Sequence, residues 1–195
     1  MQKNIAKQKI SLMIVPTGTG ASIGGYAGDA SAYAQKIARH IPLIVNPNIG
    51  NAAVFSGITA NMYYVEGYGG MVGNPVASIY DANVLRLLRQ DSPNHYTSYE
   101  NESVLVHEFG HSVHLLGVDS IPELKEEFDA VYASAQAKNL WPNSYAISNR
   151  EEYFATCTAI WFNAMSESND GSWDGVRGPV NTREELQAYD VDMYN

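Results

Sequence analysis

The sequence has one cysteine, few basic residues and no long apolar run. Cys157 therefore cannot form a disulfide within the chain, and its apolar surroundings predict a small, buried side chain. No apolar segment is long enough to cross a bilayer, and Ile10–Val15 is too short for the hydrophobic part of a secretory signal. We expect neither membrane insertion nor a signal peptide in these residues.

The shortage of basic residues restricts the kind of partner. The chain has 12 lysines and arginines against 21 aspartates and glutamates, which gives a net charge of −9. Such an acidic balance argues against nucleic acid and anionic membranes as partners. Hydrophobic residues make up 45% and charged residues 17%, a composition typical of a globular protein. We expect a single domain over residues 1–195, present as a monomer.

Strands are predicted early in the chain and helices late. The apolar periodicities and turn signals predict strands at Ile10–Val15, Leu43–Val45 and Asn61–Val65. They predict helices at Ala30–His40, Val76–Arg89, Asn101–Leu116, Ile121–Lys138 and Asn149–Met165, and a short last helix opened by a capping box at Thr182–Glu185. This order of elements predicts an α+β fold.

The segment His107–His111 has the sequence HEFGH, an HExxH motif inside the predicted helix Asn101–Leu116. Residues four apart share one face of a helix, so His107 and His111 can bind the same metal ion. Glu108 lies beside this face, where a general base would act on a water molecule. Because unpaired polar groups are costly on an apolar helix, a zinc ion would account for them. The competing interpretation is a chance occurrence of this short motif.

A catalytic zinc ion held by two histidines needs a third protein ligand. In the metzincin pattern a glycine and then a third histidine follow, but this chain has His114 and Gly117 in the opposite order. Asp119 comes after the glycine predicted to end the helix. The remaining possibility is a glutamate on the helix Asn149–Met165, which offers Glu151 and Glu152.

The HEFGH motif together with Ser144–Ala155 (SYAISNREEYFA) resembles the gluzincin zinc metallopeptidases, in particular the catalytic domain of anthrax lethal factor and the Pro-Pro endopeptidases. The resemblance covers about Asn101 to Phe162. It implies one Zn²⁺ ion held by His107, His111 and Glu152, with Glu108 as the catalytic base. It also implies that Tyr145 supplies a hydroxyl to the oxyanion.

The same resemblance implies a zincin-like fold and a secreted protein. The expected fold has a small mixed sheet whose edge strand lies over the HExxH helix, and a second helix that carries the third ligand. Asn61–Val65 is the candidate edge strand, along which a peptide substrate would bind as an added strand. Loops such as Ser166–Val180 would determine specificity.

Three residues near the motifs have further interpretations. Ser148 and Glu151 match a capping box, which would leave Glu152 free to point inward. Thr156 occupies a position at which the family usually has an acid that can orient a metal-bound histidine, so metal affinity or activity is expected to be affected. His114 is expected either to replace that acid in part or to be a core histidine.

The function predicted from these residues is zinc-dependent cleavage of peptide bonds in a peptide or protein substrate. The alternative is a zinc-binding or metal-free domain that has lost catalysis and binds proteins. Thr156 favours this alternative, and the presence of Glu108 opposes it, because a structural zinc site needs no base. A glycan hydrolase using paired carboxylates is a third possibility, and its activity would survive chelation.

Overall fold

The structure is a computed structural model that describes residues 2–15, 67–72, 75–91 and 96–195. The segments predicted as a helix at Ala30–His40 and as strands at Leu43–Val45 and Asn61–Val65 lie outside these residues. The prediction of an edge strand at Asn61–Val65 therefore stays a prediction.

Three short strands pair in the first part of the described chain. Helix α1 (Gln2–Lys7) precedes strand β1 (Ser11–Val15), and strands β2 (Gly67–Tyr68) and β3 (Val76–Tyr80) follow. The strand order is β1-β3-β2. Strand β1 runs parallel to β3, with Ser11 opposite Val76, and β2 runs antiparallel to β3.

The predicted helix Val76–Arg89 is wrong at its start. Residues 76–80 form β3, and helix α2 (Asp81–Leu85) follows directly. Ala77 and Ile79 are fully buried at the two-residue spacing of a strand, whereas Val84 and Leu85 are exposed. The apolar residues at helical spacing predict one helix, but they belong to two different elements.

The rest of the described chain is built from helices. A long helix α3 (Val104–Val113) continues into a π-helical turn (His114–Val118). The chain then forms helix α4 (Pro122–Ala137), a 3-10 turn (Ala146–Ser148), helix α5 (Arg150–Trp161), and the short helices α6 (Arg183–Tyr189) and α7 (Val191–Tyr194). Thr182 and Glu185 cap α6 reciprocally, which confirms the predicted capping box.

The predicted α+β fold with a small mixed sheet as one of its layers is wrong, because the described chain is predominantly helical. The strands contain only five, two and five residues. Among the described residues, one buried hydrophobic cluster, the helical core, comes from helices and from the loops between them, and its members are Val118, Phe128, Ala135, Trp141, Ala146, Tyr153, Cys157, Ile160, Val180 and Leu186. Ala77 and Ile79 of β3 are also buried but lie outside this cluster. Helix packing against helix, and not helix on sheet, therefore supplies this core. Cys157 is buried within it, as predicted.

The helix that carries the HExxH motif starts and ends later than predicted. Its N-cap is Ser103, whose side chain accepts a hydrogen bond from the Val106 N–H, two residues after Asn101, where the helix was predicted to begin. Gly117 does not end the helix, because the backbone continues as the π-helical turn until the Asp119 N–H bonds the His114 carbonyl at 2.9 Å. A contact with a distant segment helps to fix the start of the helix, because the Val104 N–H donates to Asn83 Oδ1 at 3.0 Å.

Helices α3 and α5 cross at very close range. A Cβ atom added to Gly110 would lie 3.0 Å from Cα of Ala155 and 3.1 Å from Cβ of Thr158. Such contacts are tighter than ordinary van der Waals packing, so the absence of a side chain at Gly110 is what permits this approach. The glycine inside the HEFGH motif therefore sets the distance between the two helices.

A buried carboxylate holds the loop between α4 and the 3-10 turn. Asp190 is 2% exposed and accepts hydrogen bonds from Trp141 Nε1 at 2.7 Å and from the Tyr153 hydroxyl at 2.6 Å. The Trp141 N–H donates to the Tyr189 hydroxyl at 2.8 Å. Trp141 has a φ of 58°, a left-handed conformation that is costly for a bulky side chain. The bonds from the C-terminal helices keep it there.

Among the described residues, no helix combines the length and the apolar character that crossing a membrane would require.

His114 is a core histidine. Its ring is fully buried, stacked on Phe154 at 4.9 Å between centroids and edge-on to Phe128 at 4.8 Å. Its Nε2 lies 3.4 Å from Asp119 Oδ1, but neither ring nitrogen makes a hydrogen bond. Burial lowers the pKa of His114 to about 4, and the charge of Asp119 opposes this shift without cancelling it. The side chain is therefore neutral at pH 7.

Acid is expected to destabilise the fold through His114. A histidine pKa that is lower in the folded state than its ordinary 6.5 favours folding above pH 6.5, and this contribution is lost as the pH falls from 6.5 towards 4. One such group contributes a slope of up to about 1.4 kcal/mol per pH unit. Urea unfolding of the metal-free protein between pH 7.5 and 4.5 would measure it. His114→Phe should flatten the curve in this window, and an equal slope in both proteins would contradict the assignment.

Candidate metal centre

The structure brings together the three predicted metal ligands. Glu152 Oε2 lies 3.0 Å from His107 Nε2 and 3.5 Å from His111 Nε2. The two imidazole rings meet edge to face, with centroids 4.9 Å apart. All three ligand atoms lie within 4.8 Å of one another, so this group could hold a metal ion.

The start of α5 determines which of two adjacent glutamates points inward. The N-cap is Asn149, whose Oδ1 accepts the Glu152 N–H at 2.8 Å. The predicted capping box of Ser148 and Glu151 is wrong, because the Ser148 hydroxyl donates to the Tyr145 carbonyl at 2.7 Å. Its conclusion about Glu152 still agrees with the geometry, since the Glu152 side chain is directed at His107 and His111.

The charges of these groups are strongly coupled. Burial raises the pKa of Glu152, but the hydrogen bonds and charges of His107 and His111 outweigh it and bring the pKa down to about 2. Burial lowers the pKa of His111, and the hydrogen bond and negative charge of Glu152 reverse this to a net increase. The Glu152 carboxylate is therefore ionised at neutral pH, as a metal ligand must be.

Glu108 is almost fully buried beside the three predicted ligands. Burial raises its pKa from 4.5 to about 7, although the charges of His107 and His111 lower it in part. A carboxylate with a pKa near neutrality is suited to accept and return a proton. The structure therefore places Glu108 in an environment appropriate for the base that the motif predicts.

Tyr145 lies on the loop that leads into the 3-10 turn and is half-exposed. Burial, and then the negative charge of Glu152, raise the pKa of its hydroxyl. The phenol therefore stays protonated at neutral pH and can donate a hydrogen bond. Tyr145 faces the same cleft as the ligands.

All five predicted residues line one cleft of about 590 Å³. This volume is in the range of small-molecule and peptide side-chain sites. Its walls combine the titratable groups with apolar and aromatic side chains, which are Met71, Tyr99, Val104, Leu115, Met165 and Val176. The cleft can therefore place apolar substrate groups next to Glu108 and the ligands.

The segment 67–72 is pressed against the base and one ligand. A Cβ atom at Gly67 would lie 2.5 Å from Cγ of Glu108, and one at Gly69 would lie 2.2 Å from Cβ of His111. The Gly70 N–H donates to Ser112 Oγ at 2.9 Å, and Ser112 donates to the Glu108 carbonyl at 3.3 Å. Only glycine allows this backbone to approach Glu108 so closely, so this segment covers one side of the Glu108 side chain.

Two of the weaker candidates have other roles. Asp119 is bound by Arg150 through two hydrogen bonds, at 2.9 and 2.8 Å, and is not part of the metal group. His114 is in the core, as described above. Thr156 is buried and lines the cleft, but it carries no charge.

Two residues near the cleft were not predicted from the sequence: Glu102 lines it, and Arg177 directly follows the lining residue Val176. Glu102 and Arg177 form a partly buried ion pair, with side chains 10% and 22% exposed. They are 75 residues apart, and Arg177 lies in a loop with no periodic pattern. The only sequence signal is the unusual run of aspartate, glycine and serine in that loop, which could have indicated an ordered turn.

Comparisons with known proteins give a partial assignment. Residues 73–169, which contain all five predicted site residues, match the family described as anthrax toxin lethal factor, N- and C-terminal domain. Residues 10–72 match a family described as a protein of unknown function (DUF3326). No solved structure matches the chain.

An uncharacterized lipoprotein of Synechococcus sp. is 45% identical over 65 residues, which are 33% of this chain and 18% of that protein. The chain thus matches less than a fifth of the length of this relative, whose name indicates no activity. The family match at residues 73–169 covers just under half of the 195 residues. It gives the chain a weak link to the family of anthrax toxin lethal factor.

Proposed function

We propose that the protein is a zinc-dependent endopeptidase. The observation that carries the proposal is the convergence of His107, His111 and Glu152 in a cleft that also contains Glu108. Structural zinc sites use four protein ligands, whereas catalytic sites use three and keep one position open. Among the described residues, the group has three members, which favours a catalytic site.

The donor set fits zinc. Two imidazole nitrogens and one carboxylate oxygen are the ligands of a known class of catalytic zinc sites. Two atoms that each lie about 2.0–2.1 Å from a tetrahedral zinc ion are about 3.4 Å apart. The distances of 3.0 and 3.5 Å from Glu152 Oε2 to the two histidine nitrogens agree with this separation. A hard, oxygen-preferring ion such as Mg²⁺ would be a poorer match.

Residues of the cleft would have separate roles in peptide hydrolysis. Zinc, when bound, supplies Lewis acidity towards a water molecule and a peptide carbonyl. Glu108 removes a proton from the attacking water and passes it to the amine nitrogen as the C–N bond breaks. The Tyr145 hydroxyl donates a hydrogen bond to the oxygen that becomes negatively charged. The glycine segment 67–72 limits access of water to Glu108.

Two measurements test the proposal together. The purified protein should contain one zinc ion per chain by elemental analysis, and it should cleave a peptide mixture in a way that a chelator abolishes and zinc restores. Mass spectrometry of the products would identify internal cleavage, as expected of an endopeptidase. Peptide cleavage that survives complete removal of metal would contradict the proposal.

A second candidate function is a protein-binding domain that keeps zinc but has lost catalysis. The uncharged Thr156 in the cleft is the observation that favours it, because an acid near the ligands could orient a histidine. Stoichiometric zinc without any cleavage of peptide mixtures would support this candidate. The burial of Glu108 beside the ligands speaks against it, because a buried carboxylate without a role is costly.

Secretion stays a prediction from the family resemblance. The Synechococcus relative is named a lipoprotein, a description that suits a protein of the cell envelope. We propose the same general location for this protein. Detection of the native protein only in the cytoplasmic fraction of the source cells would contradict it.

A further inference from the structure

Part of the loop Ser166–Val180 is bonded to the segment that carries Tyr145. The Tyr145 N–H donates to the Val176 carbonyl at 3.0 Å, and the Gly175 N–H donates to the Asn143 carbonyl at 2.8 Å. The Asn143 side-chain amide donates to the Trp173 carbonyl at 2.9 Å. The backbone before and at Tyr145 is thus attached to residues 173–176.

This attachment matters because two residues before Tyr145 have a backbone conformation that is unfavourable without support from their surroundings. Asn143 has a φ of 49° and Trp141 a φ of 58°, both in the left-handed region. Non-glycine residues in this region cost on the order of 1–3 kcal/mol each and keep that conformation only when their surroundings impose it. Asp190 restrains Trp141 from one side, and residues 173–176 restrain Asn143 and Tyr145 from the other.

A tight turn, held by the Asp174 side chain, fixes the positions of Val176 and Arg177 relative to each other. Asp174 Oδ1 accepts the Val176 N–H at 2.8 Å and the Arg177 N–H at 2.7 Å. The Asp174 N–H also donates to the Arg177 carbonyl at 3.1 Å. Displacement of Arg177 would therefore displace Val176, whose carbonyl holds Tyr145.

Arg177 in turn is fixed to the N-terminal end of α3. Its Nε and Nη2 both contact Oε1 of Glu102, and its guanidinium lies over the Tyr99 ring at 5.7 Å from the centroid. Glu102 also accepts the Ser166 hydroxyl at 2.8 Å and directly precedes the N-cap Ser103. Because the pair is partly buried, it is more firmly held than a surface ion pair.

We propose that Arg177 is a positioning residue for Tyr145. Its ion pair with Glu102 connects the turn at residues 174–177 to the N-terminal end of α3, the helix that carries His107 and His111. The Val176 carbonyl in that turn then holds Tyr145 at a fixed distance from the proposed metal ligands. The catalytic part of this inference rests on the proposed function, whereas the structural coupling does not.

Hydrogen–deuterium exchange tests the coupling without reference to activity. Arg177→Gln removes the ion pair and should raise the exchange rate of the Tyr145 amide by at least tenfold, since its bond to Val176 would open more often. Arg177→Lys, which keeps the charge without the two-pronged contact, should give an intermediate rate. Arg183→Gln is the control, because Arg183 stacks on Trp161 away from the cleft, and it should leave this amide unchanged.

Kinetics on a cleavable peptide test the consequence. Misplacement of a catalytic group by about 1 Å can cost up to about 10²-fold in rate, so Arg177→Gln should lower kcat by roughly 10- to 100-fold with zinc retained. Tyr145→Phe should lower kcat and kcat/KM together by about 10²–10³-fold, with KM little changed. If Arg177 acts through the Tyr145 hydroxyl, adding Arg177→Gln to Tyr145→Phe should cause no further loss.

The outcomes separate the two proposals. Unchanged exchange at Tyr145 in Arg177→Gln, or multiplicative losses in the double variant, would overturn the positioning role. An inactive wild-type protein would contradict the proposed function, while the exchange result would still decide the coupling. If Arg177→Gln does not fold, Asp174→Ala serves instead, because Asp174 is exposed and its loss removes both side-chain bonds that hold the turn at Val176 and Arg177.

Discussion

Replacing Glu108 with glutamine is expected to lower the rate of peptide hydrolysis by about 10²–10⁴-fold, the usual cost of removing a positioned general base. Glutamine has nearly the same shape as glutamate, so it should fit beneath Gly67, where a Cβ atom would already be 2.6 Å from Glu108 Oε1. It cannot accept a proton from water at neutral pH. Steady-state kinetics on a peptide substrate would measure the loss.

Zinc content and the circular dichroism spectrum provide the controls for Glu108→Gln. Both should equal those of the wild-type protein, because Glu108 is not among the three ligands. A variant that hydrolyses peptides at the wild-type rate would show that the activity arises from another group or from a contaminant.

Glu152→Gln is expected to abolish stoichiometric zinc binding and, with it, hydrolysis. Glu152 Oε2 lies 3.0 and 3.5 Å from the two histidine nitrogens, and a neutral amide is a far poorer ligand than a carboxylate. Loss of residues that only orient ligands costs 10–100-fold in metal affinity, so loss of a ligand should cost more than about 100-fold. Competition with a chromophoric chelator would measure the affinity.

The neighbouring Glu151→Gln is a matched control. Glu151 also lies in the first turn of α5, so both substitutions remove the same charge from the same helix N-terminus. Its side chain is 39% exposed and lies 3.8 Å from Arg150, and it is not part of the metal group. Glu151→Gln should therefore keep its zinc. The opposite result would assign the third ligand to Glu151.

The pairing of the two histidines in the metal group could be anticipated because their spacing is local. His107 and His111 are one helical turn apart, and any helix at this position brings them together. The residues alone left Glu151 and Glu152 as alternatives, and the family resemblance was needed to select between them. The cap that directs Glu152 inward uses Asn149, one residue after the serine predicted for this role.

The fold was harder to predict because it depends on contacts between distant segments. The apolar run 76–89 contains both a strand and a helix, and no local pattern marks the boundary at Asp81. A small mixed sheet was expected as one layer of the fold, but among the described residues the main hydrophobic cluster is formed by helices and loops after residue 117. The ion pair of Glu102 and Arg177 joins residues 75 positions apart, which no periodicity can reveal.

The buried Asp190 has a consequence for where the functional unit ends. The similarity to the lethal factor family stops at residue 169, yet Asp190 and Tyr189 hold the strained Trp141, and residues 173–176 hold Asn143 and Tyr145. A protein shortened at residue 169 would keep every proposed ligand but lose the restraints on the loop that carries Asn143 and Tyr145. Residues 170–195 therefore belong to any fragment made to test the proposed hydrolytic activity.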